Sequence, residues 1–170
     1  MQSDFGLCTE RNLTDMNEKV KAQFFALNQI SKRLDVQYHA YGSYMGLSDP
    51  AIWILYSICE EGDKNITQND LAARWFYPKQ TVNSTVAVLI EKGYLRLDQL
   101  PGMRSGKAVR LTGEGKRLCE EKIYPLFAAE ENSLMRLTEE ERETLVGLSE
   151  KQCNMFEEEI SKLIGKRRQP

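Results

Sequence analysis

The sequence predicts a mostly α fold with one small β-hairpin, and three observations carry that prediction. Long stretches near both ends place apolar residues at helical spacing. Ile66 to Thr112 reads as two short helices joined by a tight turn, then two alternating strands. Prolines, glycines and capping residues stand where such elements must begin and end. Together they give a winged helix-turn-helix flanked by N- and C-terminal dimerisation helices.

Residues 14–45 read as the first helix, capped by Thr14 and Asp15. Its stripe is Met16, Val20, Phe24, Leu27, Ile30 or Ser31, and Leu34. It runs into an aromatic segment holding Tyr38, His39, Tyr41 and Tyr44. Ser48-Asp49-Pro50 then starts a helix whose inner face is Ile52, Leu55, Tyr56 and Cys59, with Gly62 as its stop.

Thr67-x-x-Asp70 is an N-cap pattern. Leu71, Ala72 and Ala73 are small enough for two helices to cross closely. Trp75 to Tyr77 is the turn, and Pro78 suits the first turn of the next helix, where its missing N–H costs nothing. Val82, Val86, Leu89 and Ile90 form one buried stripe. Lys79, Gln80, Asn83, Ser84 and Ala87 fall on the other side, short or polar enough to approach base edges. Gly93 ends this helix. Tyr94 to Leu97 and Ala108 to Leu111 are the strands of the wing. The loop between them contains the turn signal Pro101-Gly102 and the cations Arg104 and Lys107, suited to phosphates or a minor groove.

Thr112 caps the following helix, with Leu118, Cys119, Ile123, Leu126 and Phe127 as its stripe and Pro125 breaking or kinking it. Leu137 to Glu141 contains a capping box with an acidic first turn. The last helix carries Leu145, Leu148, Cys153, Phe156, Ile160, Leu163 and Ile164. The chain divides into 1–47, an N-terminal dimerisation helix; 48–112, the winged segment; and 113–170, C-terminal dimerisation helices.

Charge separates these parts. From Arg74 to Arg117, nine cations oppose three anions in a chain whose net charge is −2. A basic segment within an acidic chain is a footprint for phosphate contact. From Cys119 to Ile160, twelve glutamates oppose four cations, so this part should face away from DNA.

At 170 residues, 41% of them apolar, the chain can build one domain with helical extensions. Its longest apolar run, Ala51 to Cys59, is broken by Ser57 and is far below the roughly 20 residues of a spanning helix. The first residues lack the basic and apolar regions of a signal peptide, which predicts a cytoplasmic protein without membrane contact. Four cysteines without a C-x-x-C and a single histidine give no metal site. Cys59, Cys119 and Cys153 read as small buried apolar residues. Cys8 lies in a polar leader and could be an exposed thiol. There is no nucleophile–base pair, glycine-rich phosphate loop or paired inward carboxylates, so neither catalysis nor a cofactor is expected.

In this order the segments resemble the MarR (multiple antibiotic resistance regulator) family of bacterial transcription factors. The resemblance runs from about Val20 to Ile160. It is carried by GLSDPAIWILYSI, ITQNDLAARWFYPKQTVNSTVAVLIEKGYL, KAVRLTGEGKRL, the proline of KIYPLF and the cap of LTEEERETLVGL. It implies a homodimer with interleaved terminal helices, two winged lobes on palindromic double-stranded DNA, and release by a small phenolic or other aromatic effector. Thr67, Lys79, Gln80, Thr81, Asn83 and Ser84 would then meet DNA, with Arg104 at the wing tip beside Lys107. Tyr38, His39, Tyr41, Tyr44 and Trp53 would line the effector pocket, or form an aromatic junction that simply packs. Two positions depart from the family pattern. Met103 stands where an aspartate often precedes the wing arginine, and Pro78 stands where a capping serine is common. The rival reading from the residues alone is a winged-helix protein-interaction module that does not bind DNA. The terminal helices could likewise fold back on the winged lobe of a monomer.

Overall fold

The computed structural model describes residues 17–62, 64–100, 102 and 106–166. Among the described residues, seven helices and one hairpin follow in the order α1 (Glu18–Met45), α2 (Asp49–Glu61), α3 (Gln68–Arg74), α4 (Lys79–Glu91), β1 (Leu95–Gln99), β2 (Lys107–Leu111), α5 (Gly113–Lys122), α6 (Tyr124–Leu134) and α7 (Glu139–Lys166). The chain splits into two compact units, Met1–Lys116 and Arg117–Pro170.

In the first unit, α1 starts later than the Thr14-Asp15 cap predicts. Asn17 is its N-cap, accepting from the Lys19 and Val20 amides at 3.0 and 3.3 Å. Thr14, Asp15, Met16 and Cys8 lie outside the described residues. The helix ends on Gly46, whose φ of 69° is a conformation that glycine adopts without strain. Gly42 is the only buried residue of α1, because α2 crosses there. A Cβ on Gly42 would meet Ile52 Cδ1 at 2.6 Å.

The core of this unit gathers Ile52, Ile54, Leu55 and Ile58 of α2, Leu71 of α3, Val82, Val86 and Leu89 of α4, and Leu95 and Val109 of the hairpin. The face of α2 is broader than its spacing suggested. Ile54, Ser57 and Ile58 are buried, whereas Tyr56 and Cys59 are half-buried. Covered from several sides, α2 needs more than a narrow stripe. Ile90, in the last turn of α4, is exposed, contrary to its expected place in the stripe.

Pro78 is the N-cap of α4 rather than a first-turn residue, and no side chain caps the helix. The wing is antiparallel, pairing Leu95 with Leu111, Leu97 with Val109 and Gln99 with Lys107. Tyr94 precedes the first strand. Val109 donates its amide to Ile66 O at 2.8 Å, and Thr67 bridges Ala108, so the start of α3 is tied to the wing.

In the second unit, Ile123 separates α5 from α6, with Pro125 in the first turn of α6. The chain breaks there because proline cannot supply the amide that a continuous helix needs. Thr138 and Glu141 form the expected box. Glu141 N donates to Thr138 Oγ1 at 3.2 Å, and Thr138 N donates to Glu141 Oε2 at 2.8 Å. Cys119 is buried, but Cys153 is exposed, correcting its expected burial. It lies on α7, a helix whose apolar residues are exposed along its length.

Candidate nucleic-acid interface

The helix-turn-helix is assembled by local chemistry at each joint. Thr67 accepts from the Asp70 amide at 3.3 Å, and the Asp70 carboxylate accepts from the Thr67 amide at 2.8 Å and its hydroxyl at 2.7 Å. The Thr67 hydroxyl is therefore engaged in starting α3. At the other end, Trp75 is the C-cap and Phe76 takes φ 54°. This left-handed position usually falls to glycine. The Tyr77 amide closes the turn on Ala72 O at 3.1 Å. Phe76 is 93% exposed, so its side chain recovers none of the backbone strain by packing within the chain.

From this turn α4 presents two chemically different sides. Val82, Val86 and Leu89 are buried. Lys79, Gln80, Asn83 and Ser84 are exposed, and Thr81 is half-buried. Ser84 donates to Thr81 O at 3.0 Å and Thr85 to the same oxygen at 2.8 Å, so both hydroxyls fold back onto the helix. Among the described residues, Lys79, Gln80 and Asn83 make no side-chain hydrogen bond or ion pair, which leaves their donors and acceptors to solvent or a ligand. Lys107 opens β2 with its side chain exposed. Arg104 and Met103 lie outside the described residues.

Several cations of the basic segment are committed within the fold. Arg74 pairs with Glu60 and, at 2.8 Å, with Glu61. Arg96 pairs with Asp98 at 2.9 Å, and this guanidinium holds the Asp98 carboxyl below its ordinary range. Arg110 donates to Lys64 O at 2.8 Å and to Asn65. The positive charge left for a phosphate is thus smaller than the sequence count. Lys79, Lys92 and Lys107 remain without an ion pair among the described residues.

The aromatic residues expected at an effector pocket divide into three groups. Tyr38 meets Trp53 at 4.7 Å between centroids. Tyr41 stacks on Tyr44 at 6.2 Å. His39 Nδ1 lies 3.0 Å from Asp49 Oδ1. Sequence reasoning missed Tyr56, which lies 5.5 Å from Trp53, and Trp75, which lies 4.3 Å from it. The unbroken run Trp75-Phe76-Tyr77 was a signal, since a turn between two helices seldom needs three aromatic residues.

Two helices crossing at a tight turn, an outward polar face on the second, and a following hairpin define a winged helix-turn-helix protein. The family model described as MarR family matches residues 45–102, from the end of α1 through the first wing strand. The helix-turn-helix segment is thus similar to the MarR family, and the fold resembles that of solved MarR-family regulators. The Staphylococcus aureus MepR–DNA complex is similar at TM-score 0.66 and 19% identity, over 78% of this chain and 94% of that one. The regulator MarR from Oenococcus oeni PSU-1 is similar at TM-score 0.65 and 16% identity, over 79% and 98%. NMB1585, a MarR family regulator from Neisseria meningitidis, is similar at 0.64 and 20%, over 86% and 99%. No curated protein matches the chain. Among the described residues, no helix is long and apolar enough to cross a membrane and no cluster of side chains could hold a metal ion.

Proposed function

We propose that the chain is a sequence-specific DNA-binding transcriptional regulator, a ligand-responsive repressor that works as a homodimer on a palindromic operator. The observation that carries this reading is the outer face of α4, where Lys79, Gln80 and Asn83 are exposed and unengaged beside a buried apolar stripe. A helix of this kind fits a major groove, where amide side chains can read adenine edges. Thr81 and Ser84 complete the reading surface, Thr67 anchors the start of α3 near the backbone, and Arg104 and Lys107 serve the wing. The likeness to the MepR–DNA complex supports the same docking.

The homodimer is supported by α1 and α7. Val20, Leu27, Ile30 and Leu34 are each more than half exposed, as are Leu148, Leu163 and Ile164. We assign residues 1–47 and 113–170 to dimerisation and 48–112 to DNA. Action on DNA places the protein in the cytoplasm, and no catalysis is assigned.

A salt titration on operator and scrambled DNA tests this function. Affinity for both should fall steeply with salt because phosphate contacts release counterions, while the operator keeps its advantage. Binding to neither DNA at low salt would leave the winged fold as a protein-interaction module.

A further inference from the structure

Phe76 carries two costs that nothing in its own chain offsets. Its backbone is left-handed, where a side chain larger than glycine's is strained, and its ring stands almost wholly in solvent. The rings on either side turn inward. Trp75 lies 4.3 Å from Trp53 of α2 between centroids and donates Nε1 to Ser57 Oγ at 2.6 Å. Tyr77 is half-buried, and its hydroxyl is held above its ordinary range by that burial and then by the carboxylates of Asp49 in α2 and Asp35 in α1. Both neighbours thus face α1 and α2, and of the three aromatic residues of the turn only Phe76 stands clear.

Only Tyr77 and Pro78 separate Phe76 from Lys79, the first residue of α4. The outer face of α4 opens there with Lys79, Gln80 and Asn83, all exposed. Val82, Val86 and Leu89 lie on the other side, where α4 packs on α2 and α3. Phe76 and the polar face of α4 therefore both turn away from α2, and the ring adds an apolar group to the N-terminal end of that face.

We propose that Phe76 is a specificity-determining residue, its ring covering the C5 methyl of a thymine in each operator half-site. The contact rests on the DNA-reading function proposed above. A helix seated in the major groove brings its first residues to the base edges, and the apolar group that a base pair displays there is the thymine methyl. A phenyl ring has no donor for a phosphate and no hydrogen-bonding group for a base edge, so the methyl is the feature of that groove it matches. Covering ring and methyl together removes apolar surface from water, which offsets the exposure of Phe76 only when DNA is bound.

The full-length protein is used to select a duplex from random DNA, and that duplex is then made with thymine or with deoxyuridine, which lacks only the methyl. Affinities are measured for the wild type and for Phe76→Asn, whose side chain tolerates the left-handed backbone. The wild type should lose about fourfold in affinity for each methyl that the ring covers. Phe76→Asn should bind the thymine duplex more weakly and lose correspondingly less on the replacement. Methyls touched by other side chains count equally in both proteins and cancel in the comparison. Phe76→Gly repeats the comparison if Phe76→Asn melts below the wild type. Equal dependence on the methyl in wild type and variants overturns the contact and leaves the DNA-reading function standing. Sedimentation of a folded variant as a monomer, where the wild type is a dimer, assigns the ring to the subunit interface and also overturns the contact. A wild type that selects no duplex at low salt defeats the DNA-reading function, and the contact with it.

Discussion

Between Leu47 and Val109 the chain buries most of its described aliphatic side chains within itself, whereas along α1 and α7 it leaves them exposed. Ile52, Leu55, Leu71 and Val82 are fully enclosed by α2, α3, α4 and the hairpin. On the two terminal 28-residue helices, the only buried residue of α1 is Gly42, and no apolar side chain of α7 is buried. Both regions are amphipathic in sequence, but only the first finds its partners inside one chain. Burial stabilises by about 25 cal/mol per Å² of apolar surface, so the exposed stripes account for a second chain better than for a helix standing alone. The first region keeps its shape by its own packing, and the exposed stripes of the second are what support the proposed dimer.

The largest effect should come from breaking the joining region. Phe156→Asp with Ile160→Asp is expected to give monomers or unfolded chains, with DNA binding lost. Sedimentation of the wild type as a well-folded monomer at micromolar concentration would refute the dimer before any variant is made.

The self-contained region should respond differently. Leu71→Ala removes a fully buried side chain between α3 and its neighbours and should cost about 2–5 kcal/mol. The melting temperature should fall while its dependence on protein concentration stays as in the wild type. Loss of that dependence would mean that the two regions are not energetically separate.

On the outer face of α4, Gln80→Ala with Asn83→Ala should weaken operator binding by about 1–3 kcal/mol for each lost base contact. The melting temperature should hardly change, since both side chains are exposed. Undiminished discrimination between operator and scrambled DNA would remove these residues from the reading surface.

The smallest expected effect is at the turn. Phe76→Gly should relieve left-handed strain, offset in part by the greater freedom of glycine in the unfolded chain, for a gain of about 1 kcal/mol or less. A melting temperature lower than wild type would mean that the Phe76 ring, exposed within one chain, is covered in the assembly.

Features that depend on neighbours in sequence were legible without a structure. The caps at Thr67-Asp70 and Thr138-Glu141 were readable because a helix start is satisfied within three residues. So was the break at Pro125, since a missing amide acts locally. The α4 face followed from period alone, and Lys79, Gln80, Asn83 and Ser84 are indeed exposed. Tertiary structure decided what period and charge count cannot encode. Arg74 meets Glu60 and Glu61 across the joint between α2 and α3, so a cation counted toward DNA is neutralised by anions outside the counted segment. Trp75, assigned only to a turn, packs at a tilt against Trp53 of α2 and donates to buried Ser57. Cys153 and Ile90 followed apolar stripes yet stand exposed. A stripe states which side of a helix seeks cover, but only packing in three dimensions states what covers it.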